Sequence, residues 1–119
     1  MRHFIVVGLW LVMSCLTPAQ AAELVMVEQH GCHWCERWNE EIAHIYPKTD
    51  EGHRAPLRRA NIRDLPDDID FASRPVFTPT FVLVEENREL GRIEGYPGAD
   101  FFWSMLNQLL DAHPEATLP

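Results

Sequence analysis

The chain has 119 residues, a formal net charge of −8, 46% hydrophobic residues and 24% charged residues. This length accommodates one small domain, and the composition is that of a folded globular chain rather than a disordered one. The negative charge disfavours nucleic acid and anionic membrane surfaces as partners, so neither is expected.

The first 21 residues have the organisation of a signal peptide. A short basic start precedes an apolar run over Phe4–Leu16, which is too short to span a membrane comfortably, and Ala19–Ala21 matches a signal-peptidase site. We therefore expect cleavage after Ala21 and a mature domain over residues 22–119 in the periplasm. Two alternatives stay open, namely lipidation at Cys15 and retention of the apolar run as an anchor.

The cysteine content agrees with export. If Cys15 leaves with the signal peptide, Cys32 and Cys35 are the only cysteines of the mature domain. A structural disulfide framework is then impossible, and an exported chain with one close pair of cysteines points to redox chemistry.

The mature domain begins with a β-α-β pattern. Hydrophobic periodicity predicts a strand over Glu23–Glu28, a helix from Cys32 to Tyr46, a polar loop over Lys48–Pro56 and a second strand over Leu57–Ile62. The residues expected on the buried side of the helix are Cys35, Trp38, Ile42, Ile45 and Tyr46. A strand-helix-strand unit of this length gives a right-handed parallel crossover.

The second half is predicted as a connector followed by β-β-α. Asp64–Pro75 has two prolines and four aspartates, which indicates a loop with at most one helical turn. Thr80–Val84 is apolar and predicted as a central strand, followed by a turn over Glu86–Glu89 and an antiparallel strand over Leu90–Glu94. A last helix starts near Asp100, and its expected buried stripe is Phe102, Met105, Leu106, Leu109 and Leu110.

Cys32 and Cys35 lie where the first strand meets the first helix. This junction places both sulfurs at the first helical turn, where unpaired N–H groups and the positive end of the helix dipole favour a thiolate. A thiolate is the reactive form of cysteine, and a thiol three residues away is within reach to close a disulfide. Cys35 is expected to be buried and Cys32 open to solvent, so we predict that Cys32 opens a reversible dithiol–disulfide exchange.

Three neighbours are candidates for tuning this pair. A charged imidazole on His33 would favour a thiolate on Cys32, whereas Glu36 in the same turn would oppose it. Trp34, at an exposed helix start, is a candidate contact for a partner protein. Each of the three also has an ordinary interpretation, as a surface side chain or, for Trp34, as a cover for the disulfide.

The same stretch contains four candidate zinc or copper ligands within six residues: His30, Cys32, His33 and Cys35. They lie too close in sequence to surround a metal ion easily, and no second ligand pair follows, so we expect no metal. Covalent haem attachment needs a histidine directly after the second cysteine, where this chain has Glu36.

The chain resembles the thioredoxin fold in its smallest form. The resemblance lies in Cys32-His33-Trp34-Cys35 after a first strand, Thr78-Pro79 directly before a later strand, and Gly95-Tyr96 ahead of the last helix. It covers nearly all of the mature chain and implies an α/β fold with a four-stranded mixed sheet and flanking helices.

Within this superfamily, three segments are similar to small periplasmic thioredoxin-like proteins of bacterial sulfur-oxidation (Sox) gene clusters. These segments are Val27–Cys35, Phe77–Val84 and Arg92–Trp103.

The resemblance implies roles for individual residues. Cys32 matches the exposed nucleophile and Cys35 the buried resolving thiol. Pro79 matches a cis-proline that faces the disulfide and leaves the backbone of Thr78 free to pair with an extended segment of a substrate protein.

Two positions depart from thioredoxin itself. Gly31 stands where a tryptophan usually precedes the first cysteine, and Met26 stands in place of a buried acid. Glu28 lies on the same strand face as Met26, so it is a candidate replacement for the acid, or else a solvated strand end.

The resemblance also implies the activity. We expect an enzyme, a thiol–disulfide oxidoreductase that uses only its own Cys32–Cys35 disulfide and needs no other cofactor. Its expected partners are proteins with reactive cysteines or disulfides. We expect this protein to act as a monomer that reduces these partners and that receives its electrons from a membrane thiol transporter. The alternatives are a non-catalytic, redox-sensing regulatory partner and an oxidant or isomerase-like enzyme.

Overall fold

The computed structural model describes residues 12–14 and 22–114. Cys15 and the predicted cleavage motif Ala19–Ala21 lie outside these ranges. Within them, no helix is both long and apolar enough to cross a membrane.

The described chain has four strands and three α-helices, and all of them except the second helix follow the predicted order. The strands are β1 (Glu23–Glu28), β2 (Leu57–Asn61), β3 (Thr80–Glu85) and β4 (Arg88–Glu94). The α-helices are α1 (His33–Trp38), α2 (Asp50–Arg54) and α3 (Ala99–Asp111).

The strands form one mixed sheet in the order β2-β1-β3-β4. β1 pairs with β2 in parallel, with Met26 opposite Arg59, and with β3 in antiparallel register, with Val27 opposite Thr80. β3 and β4 form an antiparallel hairpin. The predicted α/β architecture with a four-stranded mixed sheet is therefore confirmed.

The sheet separates two clusters of buried side chains. The larger one joins β1, β3 and β4 to α1 and α3 and includes Met26, Trp38, Phe81, Phe102 and Leu106. The smaller one lies under the connector and is built on Val25, Val27, Val82 and Val84. Alternate residues of β1 enter opposite clusters, as the pleat of a strand requires.

The first helix is shorter and less regular than predicted. After Trp38 the chain continues as a π-helical segment over Asn39–Ala43 and then as a 3-10 turn over Tyr46–Lys48. A π turn holds more residues than an α turn, so the 3.6-residue periodicity breaks there. Trp38, Ile42 and Tyr46 are buried as predicted, but Ile45 is 37% exposed.

Helix α2 lies in the segment that was predicted as a polar loop. Thr49 caps it, since its Oγ1 accepts a hydrogen bond from the N–H of Gly52 at 3.0 Å. Five residues with few apolar side chains give no detectable periodicity, and this explains why the pattern missed the helix.

The connector over residues 64–75 contains no helical turn. It holds its place through backbone hydrogen bonds from the N–H of Asp70 to the carbonyl of Asn87 (2.7 Å) and from the N–H of Glu89 to the carbonyl of Asp70 (3.0 Å). It also packs Ile69 against the smaller cluster. The connector therefore covers the sheet face that the helices leave open.

The hairpin and the last helix differ only in detail from the prediction. The turn consists of Glu86 and Asn87, both with positive φ, so β4 begins two residues earlier than expected. In α3, Phe102, Leu106 and Leu110 are buried, Leu109 is partly buried, and Met105 is 39% exposed.

Candidate functional site

A disulfide between Cys32 and Cys35 occupies the junction of β1 and α1. The two Cα atoms are 5.2 Å apart. Cys32 is the N-cap of α1, and its Sγ accepts a hydrogen bond from the N–H of Cys35 at 3.1 Å. Gly31 precedes it with a φ of +72°, a conformation that favours glycine, which accounts for the absence of a tryptophan there.

The two sulfurs differ less in exposure than the sequence predicted. Cys35 is 2% exposed and Cys32 is 9% exposed, so Cys32 is the more accessible residue but is not open to solvent as expected. The exposed residues Gly31, His33 and Trp34 surround it. The Cys32 side of the disulfide is therefore the more accessible one.

The three predicted tuning residues are all exposed. The imidazole of His33 meets the indole of Trp34 edge-on, with ring centroids 5.1 Å apart. The Arg37 guanidinium lies 6.0 Å from the centroid of the Trp34 ring, on the same helix. Glu36 is exposed, and its backbone N–H donates to the carbonyl of Cys32 at 3.1 Å.

Thr78 and Pro79 lie beside the end of β1, joined by a cis peptide bond. The side chain of Gln29 donates a hydrogen bond to Oγ1 of Thr78 at 2.9 Å. The carbonyl of Pro79 accepts one from the N–H of Gly95 at 2.7 Å. These bonds connect the Thr78–Pro79 segment to the loop between β1 and the cysteine motif and to the turn before α3.

An arginine occupies the surroundings of Met26, where thioredoxin has a buried acid. Arg59 bonds to Glu28 at 2.7 Å and to Asn39 at 2.9 Å, and its Nη1 lies 3.7 Å from the sulfur of Met26. Its guanidinium also lies 5.8 Å from the centroid of the Trp38 ring. Glu28, the candidate replacement acid, is thus an ion-pair partner of Arg59.

A second polar group joins α1 to the turn before α3. The hydroxyl of Tyr96 donates to Oε2 of Glu41, and Nε of Arg37 donates to Oε1 of the same carboxylate at 2.8 Å. These two hydrogen bonds lower the pKa of Glu41, with that of Tyr96 the stronger cause. Burial, followed by the bond to Glu41, raises the pKa of Tyr96.

The candidate metal ligands do not come together. Among residues 12–14 and 22–114, no group of three or more His, Cys, Asp or Glu side chains is arranged to hold a metal ion. The sulfurs that a metal would use are bonded to each other.

Sequence reasoning missed Gln29, Arg59 and the Glu41–Tyr96 pair as parts of this region. Arg59 could have been identified from the sequence, because a charged residue inside a predicted strand suggests an oppositely charged partner on the neighbouring strand. Gln29 and Tyr96 could not have been identified in this way, since their hydrogen-bond partners are 49 and 55 residues away in the sequence.

Neither a family model nor a curated protein matches the chain, but solved structures do. The periplasmic thioredoxin SoxS from Paracoccus pantotrophus in its reduced form is similar at 53% sequence identity and a TM-score of 0.74. The match covers 76% of this chain and 96% of that one. A thioredoxin from Malassezia sympodialis shares the fold at 12% identity, a TM-score of 0.52 and 76% coverage of each chain.

The relationship to SoxS extends over nearly all of that protein, and the fold and the Cys-x-x-Cys disulfide are those of a thioredoxin. The resemblance to thioredoxin-like proteins of the Sox type is therefore confirmed. The chain belongs to the thioredoxin family and is a thiol–disulfide oxidoreductase that carries a Cys32–Cys35 disulfide at the start of its first helix.

Proposed function

We propose that this chain works in the periplasm as a reductant of protein disulfides, and that its substrate is a protein of sulfur oxidation. The relative from Paracoccus is a periplasmic thioredoxin, and the amino-terminal sequence has the pattern of a signal peptide. The observation that carries the chemistry is the hydrogen bond from the N–H of Cys35 to the sulfur of Cys32. An N–H that reaches this sulfur stabilises it as a thiolate.

The exchange proceeds in two steps from the dithiol form. The Cys32 thiolate attacks one sulfur of the partner disulfide, which forms a mixed disulfide and releases the other partner sulfur as a thiolate. The Cys35 thiol then gives its proton to water or to the thiolate just released, and its sulfur attacks the Cys32 sulfur, closes the Cys32–Cys35 disulfide and releases the second partner thiolate. Two electrons pass to the partner, and a membrane thiol transporter restores the dithiol by the reverse exchange.

The Thr78 backbone is the proposed docking edge for the partner. In the described part of the chain, neither its N–H nor its carbonyl has a hydrogen-bond partner, although its side chain bonds to Gln29. Free backbone groups of this kind accept an extended segment as an added strand. Thr78 and Pro79 thus supply binding, and the two cysteines supply the chemistry.

Turnover of a protein disulfide tests the activity. The reduced protein should reduce the interchain disulfides of insulin catalytically when a dithiol regenerates it, and Cys32→Ser should abolish turnover. A stoichiometric effect on a sulfur-oxidation enzyme that survives Cys32→Ser would instead favour a redox-sensing regulatory protein.

The reduction potential of the Cys32–Cys35 pair tests the direction. Equilibration with glutathione buffers should place it near the value of thioredoxin, about −270 mV. A potential near that of a strong oxidant, about −120 mV, would reverse the proposed flow of electrons.

A further inference from the structure

A cleft opens at the carboxyl ends of the two parallel strands. β1 ends at Glu28 and β2 ends at Asn61, and these two residues are opposite each other in the register. Cavities of about 290 Å³ and 220 Å³ lie there and share three lining residues, so they adjoin each other. We call them together the basic cleft, and its polar lining residues are Glu28, Gln29, His30, Arg59, Asn61 and Arg63.

The charge of the basic cleft differs from that of the chain as a whole. The chain has 18 acidic and 10 basic residues, whereas the cleft is lined by two arginines and one acidic residue. That acidic residue, Glu28, is already paired with Arg59 at 2.7 Å. Within the cleft, the positive charge of Arg63 therefore has no acidic partner.

The side chains of Arg63 and His30 are available to a ligand. Both residues are exposed, and in the described part of the chain neither side chain makes a hydrogen bond, ion pair or ring contact. This holds for Arg63 even toward Asp64, the next residue in the sequence. A guanidinium presents its N–H donors in a planar fork that suits the oxygens of an anion, and the imidazole adds a ring N–H.

Asn61 adds a third donor to the same cavity. Its Oδ1 accepts a hydrogen bond from the backbone N–H of Arg63 at 2.9 Å, so the NH₂ group of its amide remains for a ligand. The same hydrogen bond holds the backbone of Arg63 against the end of β2. Donors from the end of β2 and from the loop after β1 thus line one cavity, together with a positive charge.

We propose that the basic cleft is a binding site for a small oxyanion of the sulfate type. Arg63 binds the anion through its guanidinium, and His30 and Asn61 donate to the remaining oxygens. Donors on two chain segments suit an anion whose oxygens point in several directions better than a flat carboxylate. The carboxyl ends of parallel strands are also where open α/β sheets bind their ligands. The proposal is independent of disulfide reduction, because it uses no atom of Cys32 or Cys35.

Titration of the isotope-labelled, oxidised protein with sodium sulfate, followed by NMR, tests the site. The backbone amide signals of His30, Asn61 and Arg63 should shift and saturate, with a Kd in the millimolar range. Ionic strength is held constant, since salt screens exposed charges. At the same ionic strength, sodium chloride should give no saturable shift, and sodium acetate should bind about tenfold more weakly than sulfate.

Variants assign the binding to individual side chains. Arg63→Gln should weaken sulfate binding about tenfold or more, and Arg63→Lys should weaken it less because the charge is kept. His30→Ala should weaken it several-fold. Arg88→Gln is the matched control, since it removes the same charge from an exposed arginine on β4, at the opposite edge of the sheet from β2. This control should bind sulfate as the wild-type protein does.

Three results would overturn the site. The first is a shift that grows with sulfate concentration without saturating in the wild-type protein. The second is acetate that binds as tightly as sulfate, which would mean that the cleft does not distinguish an oxyanion of this type from a carboxylate. The third is an equal loss of binding in Arg63→Gln and Arg88→Gln, which would assign the effect to net charge. The amide signals outside the cleft show whether each variant keeps its fold.

Discussion

The two cysteines of the disulfide have different surroundings, which predict different roles in thiol–disulfide exchange. Both cysteines belong to the larger core cluster, but Cys32 caps the helix, receives the N–H of Cys35 and is 9% exposed, whereas Cys35 is 2% exposed. Helix N-termini stabilise a thiolate, and apolar burial disfavours one. We therefore expect Cys32 to open the exchange and Cys35 to act once a mixed disulfide has formed.

This division predicts which variant traps partners. Cys35→Ala should give covalent adducts, because the mixed disulfide at Cys32 can no longer be resolved, while Cys32→Ala should give none above background. Periplasmic extracts separated on non-reducing gels measure this, and a reductant should release the partners for identification. Adducts that accumulate on Cys32→Ala rather than on Cys35→Ala would show that the two roles are exchanged.

Trp38 is the largest fully buried side chain in the described part of the chain. It is fully buried and its ring packs against Tyr46, Phe81 and Phe102 at centroid distances of 6.2, 5.2 and 5.8 Å. Its indole N–H has no hydrogen-bond partner among the described residues. The indole therefore stabilises the fold through apolar and aromatic packing and not through its polar group.

Truncation of Trp38 tests that account. Trp38→Ala should lower the free energy of unfolding by about 3–5 kcal/mol because it leaves a large cavity. Trp38→Phe should cost clearly less, since it keeps a ring and gives up no hydrogen bond. Urea unfolding measures both, and a Phe variant as unstable as the Ala variant would contradict the assignment.

At the scale of elements, local pattern predicted the strands well and the short helices poorly. β1 and β3 are apolar runs that lie in the middle of the sheet, so their composition alone identified them. The end of α1 and the whole of α2 depend instead on packing between backbones. An ideal Cβ on Gly52 would lie 1.9 Å from the carbonyl oxygen of Tyr46, a contact between segments that periodicity does not record.

Gly52 should for this reason tolerate no side chain. Gly52→Ala should lower the free energy of unfolding by at least the 1–3 kcal/mol or so that is typical of overpacking, because the obstacle is backbone. Gly91→Ala is the control, since its Cβ would meet only the end of the Leu109 side chain, 2.5 Å away, which can rotate. Thermal unfolding of the two variants should rank Gly52→Ala well below Gly91→Ala.

The bond between Glu41 and Tyr96 makes the link between α1 and the turn before α3 sensitive to acid. The folded-state pKa of Glu41 lies below its ordinary value of 4.5, mainly because of the Tyr96 hydroxyl and then Arg37. A carboxyl whose pKa is lowered on folding stabilises the protein above its unfolded pKa. That contribution is lost as the pH falls through the lower, folded value.

Tyr96→Phe should accordingly destabilise the protein at neutral pH and by a diminishing amount as the pH falls below 4.5. Chemical unfolding at neutral pH and at a series of acid pH values measures the difference. Glu40→Gln is the control, because Glu40 is the exposed neighbour of Glu41 and should show no such dependence. A Tyr96→Phe effect that is constant over the whole series would assign the hydroxyl a role independent of the Glu41 charge.

For the molecule as a whole, the sequence predicted the reactive residues of the site better than the contacts around them. The cysteine pair is a local signal, and Thr78-Pro79 is recognisable by resemblance. By contrast, Gln29 and Thr78 are 49 residues apart, and Glu41 and Tyr96 are 55 residues apart. Contacts at such separations arise from the sheet register and from the packing of α3, and no pattern in a single sequence encodes them.

The predicted cleavage site, after Ala21, can be compared with the first residues that make contacts in the folded domain. Ala22 is 1% exposed and packs in the larger cluster, and the N–H of Leu24 donates to the carbonyl of Pro56 at 2.9 Å. Glu23 pairs with Arg58 at 3.0 Å. Cleavage after Ala21 therefore retains the contacts at the start of β1, whereas cleavage a few residues later would remove them.

We expect the exported protein to begin at Ala22, which the mass of the periplasmic form measures directly. A chain that starts at a diacylated Cys15, or at an intact Met1, would contradict this prediction. A variant that starts at Val25 provides the structural check, because it loses the fully buried Leu24 and should be less stable than the form starting at Ala22 by about 2–5 kcal/mol. Equal urea midpoints for the two forms would mean that the fold does not depend on residues 22–24, and the position of cleavage would then be set by the peptidase motif alone.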